Sequence, residues 1–295
     1  MLPLRDNIPT DRFPIVTVLL IAANIAVFIW QLSFPTDERL EALGPSSIDQ
    51  SALEYGAIPY RVTHPGESEC FLGYVVRNQQ VRPDIVCEGT PELEEAEELA
   101  ADPRFVAQAE AGGIDPEPQP LDQAPWWVTL FTSMFMHGGI LHIAGNMLFL
   151  WVFGNNVEDS MGRAKFVLFY VLAGLVAVYS QAALDTNATV PTIGASGAVA
   201  GVLGGYLLLH PGARVLTLIF IIFFVTFVEI PAVILLGIWF VLQFLPAVGQ
   251  VATPDVAGEG GIAYFAHVGG FVFGLALIKL FATRRRERPP PYPVY

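Results

Sequence analysis

Long uncharged apolar runs alternate with short polar breaks along most of this chain, and one long stretch interrupts them. Residues 13–32 hold no charged side chain, enough at 1.5 Å per residue to cross a hydrocarbon core of about 30 Å. A cleaved signal peptide is the rival reading, but the run is long and no small-x-small cleavage site follows it. Residues 123–157 contain no Asp, Glu, Lys or Arg. Trp126 and Trp127 suit an interfacial aromatic belt, so the first part is placed at the membrane surface and the second span at about 139–153. The third span is expected at 166–184. The fourth is expected at 195–210, closed by His210-Pro211-Gly212. Residues 215–228 are apolar as well; with 230–248 they read as two spans, or as one preceded by a buried interfacial loop. Glu229-Ile230-Pro231 marks the start of the fifth. The sixth covers 261–278, followed by Lys279 and by Arg284, Arg285, Arg286 and Arg288.

The pattern predicts an all-α polytopic membrane protein with six transmembrane helices. Its parts are an N-terminal segment (1–12), a first span (13–32), a hydrophilic insert (33–125), a core with the remaining five spans (126–282) and a basic, Pro-rich tail (283–295). Arg5, Arg12, Arg163, Lys165, Arg214, Lys279 and the tail arginines share one side if there are six spans, whereas the loops after spans three and five contain no Lys or Arg. The bias of basic residues toward the cytoplasm then puts both termini inside, the insert outside and the protein in a cell membrane.

Composition sharpens this in two ways. The chain is 53% hydrophobic and 15% charged, well under the ~25% charged share of a soluble domain. Its net charge of −13 belongs to one segment: residues 35–124 hold nineteen acidic and five basic side chains, −14, leaving +1 for the rest. A basic nucleic-acid surface is excluded, and no nucleic acid is expected among the partners. Thr90-Pro91-Glu92 starts a helix within the insert, which reads as a solvated, partly helical addition. The two cysteines, Cys70 and Cys87, both lie there. They are a candidate disulfide pair if the insert is extracytoplasmic, and no further ligand pair accompanies them, so no metal is expected.

The candidate chemistry sits in three spans. The second, fourth and sixth would run in the same direction, placing His142, Ser196 and His267 in one layer about 10 Å below the outer surface. Ionisable groups inside a membrane are costly and face a cavity or one another. Gly197, Gly201 and Gly205 recur every four residues beside Ser196, and Gly270 and Gly274 follow His267 on its own face. Small residues so spaced let helices approach closely, bringing the Ser196 hydroxyl within reach of the imidazole. A serine–histidine pair is a nucleophile and its general base. His142 and Asn146, at i and i+4, project from one face as donors for an oxyanion. His137 lies off that face and reads as structural. A metal site of His137, His142 and Asn146 lacks carboxylates and the usual spacing.

Gly194-x-Ser196-Gly197, Ala266-His267-x-x-Gly270-x-x-x-Gly274 and His137-Gly138-Gly139-x-x-His142-x-x-x-Asn146 resemble the rhomboid intramembrane serine proteases. The resemblance covers all six spans and leaves out most of the insert and the tail. It implies a six-helix core, a Ser196–His267 catalytic dyad, an oxyanion hole using His142 and Asn146, helix packing through Gly194, Gly197, Gly201, Gly270 and Gly274, and no cofactor. It also implies transmembrane protein substrates in a lipid bilayer, cut near the outer end of their span. Glu158-Asp159 resembles the family's acidic turn. Two positions depart from the pattern. Ala200 stands where many relatives carry an aromatic that stacks on the catalytic imidazole, and Trp126-Trp127 is followed by Val128-Thr129 rather than arginine. A catalytically silent member that binds membrane clients is the alternative; it predicts loss of the serine or the histidine, and both are present. A channel predicts polar residues along a whole pathway, whereas here they stop in one layer.

Overall fold

The apolar runs form long helices packed around one short helix. The computed structural model describes residues 1–41, 43–66, 69–77, 79–221, 224–252 and 262–283; the tail expected at 283–295, with its four arginines, lies outside them except for Thr283. Among the described residues, five helices are long and apolar enough to cross a membrane: α1 (Ile15–Leu32), α7 (Ile140–Met161), α8 (Arg163–Ala182), α10 (Ala232–Ala252) and α11 (Tyr264–Phe281). The chain is therefore a multi-pass membrane protein, and the exposed Leu19, Ile29, Leu168, Leu242 and Leu280 face lipid. α9 (Ser196–Leu209) has 14 residues, about 21 Å of helix, too short to span a bilayer alone. Ala198, Ala200, Val202, Leu203 and Tyr206 are all buried, so α9 is the core around which the others stand.

Glycines set the spacing of these helices. A Cβ on Gly270 would lie 2.0 Å from the Gly197 carbonyl oxygen, one on Gly274 1.9 Å from that of Gly201, and one on Gly204 2.1 Å from that of Phe271. α9 and α11 thus meet backbone to backbone. The stripe expected to serve one interface serves two: a Cβ on Gly197 or Gly201 would instead strike the Cβ of Ala177 or Ala173 on α8, at 2.4 and 2.5 Å.

The all-α expectation is corrected by two three-stranded antiparallel sheets. In one, β1 (Leu2–Asp6) pairs with β5 (Arg214–Ile221), which pairs with β6 (Phe224–Pro231). The described residues of the apolar stretch at 215–228 thus form two paired antiparallel strands rather than a span or a loop. Their Val, Ile, Thr and Phe residues suit a pleated surface, and Arg214 meets Glu229 at the base of the pair, 3.6 Å apart.

This sheet sits beside the ends of α7 and α9. Asp6 accepts hydrogen bonds from Tyr206 Oη (2.5 Å) and Asn156 Nδ2 (2.7 Å). Burial pushes its carboxyl up from 3.8 to about 6, against the opposing hydrogen bond from Tyr206. The folded value exceeds the unfolded one, so this group's stabilising contribution is complete below about pH 4 and is lost as pH rises through about 6. At ~1.4 kcal/mol per unit the loss is about 3 kcal/mol. Asp6→Asn, neutral throughout, is expected to flatten this part of the pH dependence of thermal unfolding in detergent.

α7 continues beyond the expected end at Phe153, so Glu158 and Asp159 belong to the helix rather than to a turn after it. Glu158, buried, accepts from the backbone N–H of Val16 (3.1 Å) and of Thr17 (2.8 Å) and from Thr17 Oγ1 (2.9 Å). It satisfies orphan donors at the start of α1 and opposes the positive end of its dipole.

The insert is more ordered than a solvated addition. It contains α2 (Ser47–Tyr55), α3 (Pro59–Thr63), α4 (Pro91–Ala101), α5 (Pro103–Ala111) and a second sheet of order β3-β2-β4, from β2 (Cys70–Arg77), β3 (Gln80–Cys87) and β4 (Gln119–Pro120). Cys70 faces Cys87 in register and is bonded to it. Leu53, Ile58, Tyr60 and Ile85 pack around the pair. α6 (Trp126–Thr132) then leads toward α7.

Candidate active site

Ser196 is the first residue of α9, and the strand-like segment before it is held from two sides. Thr192 N–H donates to Ala57 O of the insert (2.8 Å), and Gly194 N–H donates to Ser133 O (2.8 Å). Gly194 has φ of +127°, a conformation that residues with a Cβ rarely adopt. A Cβ there would also lie 2.8 Å from His142 Nε2 and 3.3 Å from Ser196 Oγ. This glycine precedes the helix and keeps open the space between serine and His142, a role different from helix packing.

His267 lies in the first turn of α11. The close approach of α11 to α9 brings its Nε2 to 2.7 Å from Ser196 Oγ. The expected pair is therefore in hydrogen-bond contact, with the geometry of a nucleophile and its base. His142 is in the first turn of α7. Its Nδ1 accepts from the Gly138 N–H at 3.3 Å, so a neutral ring carries its proton on Nε2, the nitrogen facing the open space beside Gly194. Asn146 follows one turn later; it is buried, and its Nδ2 has no hydrogen-bond partner. An unpartnered buried donor costs about 1–3 kcal/mol.

His137, expected to be structural, is buried with its ring edge-on to His142, centroids 5.0 Å apart. Its backbone N–H donates to Gln31 Oε1 on α1 at 2.9 Å, and Gln31 Nε2 donates to Ser51 Oγ at 3.1 Å. The turn before α7 is thereby fixed to α1 and to the insert. A narrow cavity adjoins the serine, lined by Ser133, Met134, Thr192, Gly194, Ala263 and Ala266.

Two contacts to the imidazole come from α10 and were not expected. Nδ1 of His267 lies 2.7 Å from Gln243 Oε1, and the Trp239 ring lies 6.1 Å from the imidazole. Ala200, buried where relatives of the resembled family carry an aromatic, makes no such contact possible from α9. The signal was present: Trp239 and Gln243 stand at i and i+4, and an amide in an apolar span needs a partner.

Comparison with known proteins matches residues 124–284 to the Rhomboid domain. The chain is 32% identical over 152 residues to Rhomboid protein 1, mitochondrial, of Saccharomyces cerevisiae, covering 50% of this chain and 40% of that one. It is 39% identical over 85 residues to Rhomboid protease GluP of Bacillus subtilis, covering 29% and 16%. To the mouse Presenilin-associated rhomboid-like protein, mitochondrial, it is 28% identical over 152 residues, covering 50% and 36%. The chain thus matches less than half the length of each of these relatives.

Proposed function

Because the chain belongs to the rhomboid family, we propose that it is an intramembrane serine endopeptidase that cuts membrane-protein substrates in or near the outer end of a transmembrane segment. The observation that carries this reading is the 2.7 Å contact of Ser196 Oγ with His267 Nε2, near the unpartnered Asn146 Nδ2. Ser196 Oγ attacks the scissile carbonyl carbon as His267 Nε2 takes its proton; the same nitrogen returns that proton to the leaving amine. Water then repeats the cycle on the acyl-enzyme. The oxyanion forms in the space beside Gly194, where His142 Nε2–H and Asn146 Nδ2–H donate to it.

α9 completes the set of six as the fourth span, packed inside the other helices, its short length leaving Ser196 below the membrane surface. Both termini are cytoplasmic, the acidic insert is extracytoplasmic, and the membrane is a cell membrane; the basic residues flanking the helices support this orientation.

Labelling with a fluorophosphonate tests the reading, since only an activated serine reacts. Labelling of the wild type at Ser196 and none of His267→Ala is the expected result; an unreactive Ser196 in folded protein favours a client-binding protein. His142→Ala and Asn146→Ala are each expected to lower kcat by roughly a hundredfold while KM changes little, because both donors act on charge that develops only in the transition state.

A further inference from the structure

We propose that Gln243 is a positioning residue for His267, the outer member of a hydrogen-bonded chain Gln243–His267–Ser196. This inference rests on the reading of Ser196 and His267 as the reacting pair. The imidazole is held at both nitrogens: Nε2 is 2.7 Å from Ser196 Oγ and Nδ1 is 2.7 Å from Gln243 Oε1. An amide oxygen can only accept a hydrogen bond, so the proton of the neutral ring is on Nδ1. Nε2 then presents its lone pair to the serine hydroxyl, as a base must. The opposite tautomer would set an N–H against that hydroxyl and could not take its proton.

Neither α9 nor α11 supplies this control. Ala200 has no group that reaches the ring, and the neighbours of His267 on its own face are Gly270 and Gly274. Tyr264 meets the imidazole only edge-on, centroids 6.5 Å apart. On α10, Trp239 stacks on Phe271 with centroids 6.0 Å apart, seating the helix so that Gln243, one turn later, reaches Nδ1. A carboxylate there would also hold the tautomer, but it would put a further charge inside the membrane. The amide orients the ring without one. The contact ties the competence of the pair to the docking of α10 against α11.

The test uses the full chain in detergent micelles, as wild type, Gln243→Met (close in shape, no acceptor of comparable strength) and Gln243→Glu (acceptor kept). Histidine nitrogens are labelled with 15N, and the His267 signals are identified by their loss in His267→Ala. The wild type is expected to show Nδ1–H at His267, Gln243→Met to lose that preference, and Gln243→Glu to keep it. In cleavage assays Gln243→Met is expected to lose kcat by about a hundredfold, in the range for a displaced general base, with KM within about twofold of wild type. Gln243→Glu should recover most of that loss. The inference is overturned if Gln243→Met retains the Nδ1–H tautomer, or if Met and Glu variants are equally impaired with the tautomer unchanged. The nitrogen spectrum reads the Gln243 contact even in a protein that cuts nothing. An unreactive wild-type Ser196 contradicts the protease reading separately.

Discussion

Ser196→Ala is expected to abolish peptide-bond hydrolysis, and His267→Ala to lower kcat to nearly the same floor, each on the order of 10⁴-fold or more. On the proposed reading, one substitution removes the atom that would bond to the acyl group, and the other removes the base 2.7 Å away that would make that atom nucleophilic. Because the two act as a unit, the double variant should be no slower than Ser196→Ala alone. Independent roles would instead give multiplied losses. Folding should survive, since the removed hydroxyl makes one hydrogen bond, a net contribution of about 1 kcal/mol. Thermal unfolding of each variant in detergent therefore separates lost chemistry from lost structure, and a substantially lower midpoint for Ser196→Ala would assign this serine a structural role.

Among the described glycines, Gly274→Ala should be the most damaging added methyl group. Its Cβ would lie 1.9 Å from Gly201 O and 2.7 Å from Gly201 C, and these are backbone atoms of a buried helix. No side chain can rotate out of the way, so α11 must move as a body away from α9. Overpacking of a tight core costs typically 1–3 kcal/mol, and a forced helix displacement lies at or above the top of that range. The same displacement lengthens the Ser196–His267 contact, because His267 lies two turns along the same face of α11. Fluorophosphonate labelling should fall together with the unfolding midpoint. Gly237→Ala is the matched control. Nothing lies within 4 Å of a Cβ at Gly237, and the change adds helix propensity of about 1 kcal/mol. A Gly274→Ala protein that unfolds at the wild-type temperature would mean that α9 and α11 are farther apart than described.

The spans could be read from the sequence because an uncharged run of some twenty residues has few alternatives to a helix in a bilayer. Ser196, His267, His142 and Asn146 could be singled out because polar groups are rare in such runs. What pattern alone does not carry is partnership across long separations. Glu158 read as part of a turn, yet it caps α1, some 140 residues away in the chain. Gln243 was one amide in an apolar helix, and only the packing of α10 on α11 assigns it to His267. The stretch at 215–228 was ambiguous for another reason. Hydropathy does not distinguish a span from two paired strands buried or lying at an interface. The β-branched Val215, Thr217 and Ile219 at every second position were the signal for β structure, and the strand's pairing partner, β1, lies at the other end of the chain. In the insert, charge density obscured the strands on either side of residues 78–79, whose cysteines now face each other across the hairpin. Gly194 was grouped with the packing glycines because spacing reveals small residues but not the sign of φ.

Cleavage of a peptide bond within a membrane by Ser196 and His267 can be tested directly. The most direct measurement reconstitutes the wild type and Ser196→Ala separately into phospholipid vesicles with a single-span reporter protein, and determines product masses. The wild type alone is expected to yield two fragments whose masses place the cut near the outer end of the reporter's span. Equal cleavage by Ser196→Ala, or an intact reporter together with a Ser196 that fluorophosphonate does not label in the folded wild type, would contradict it.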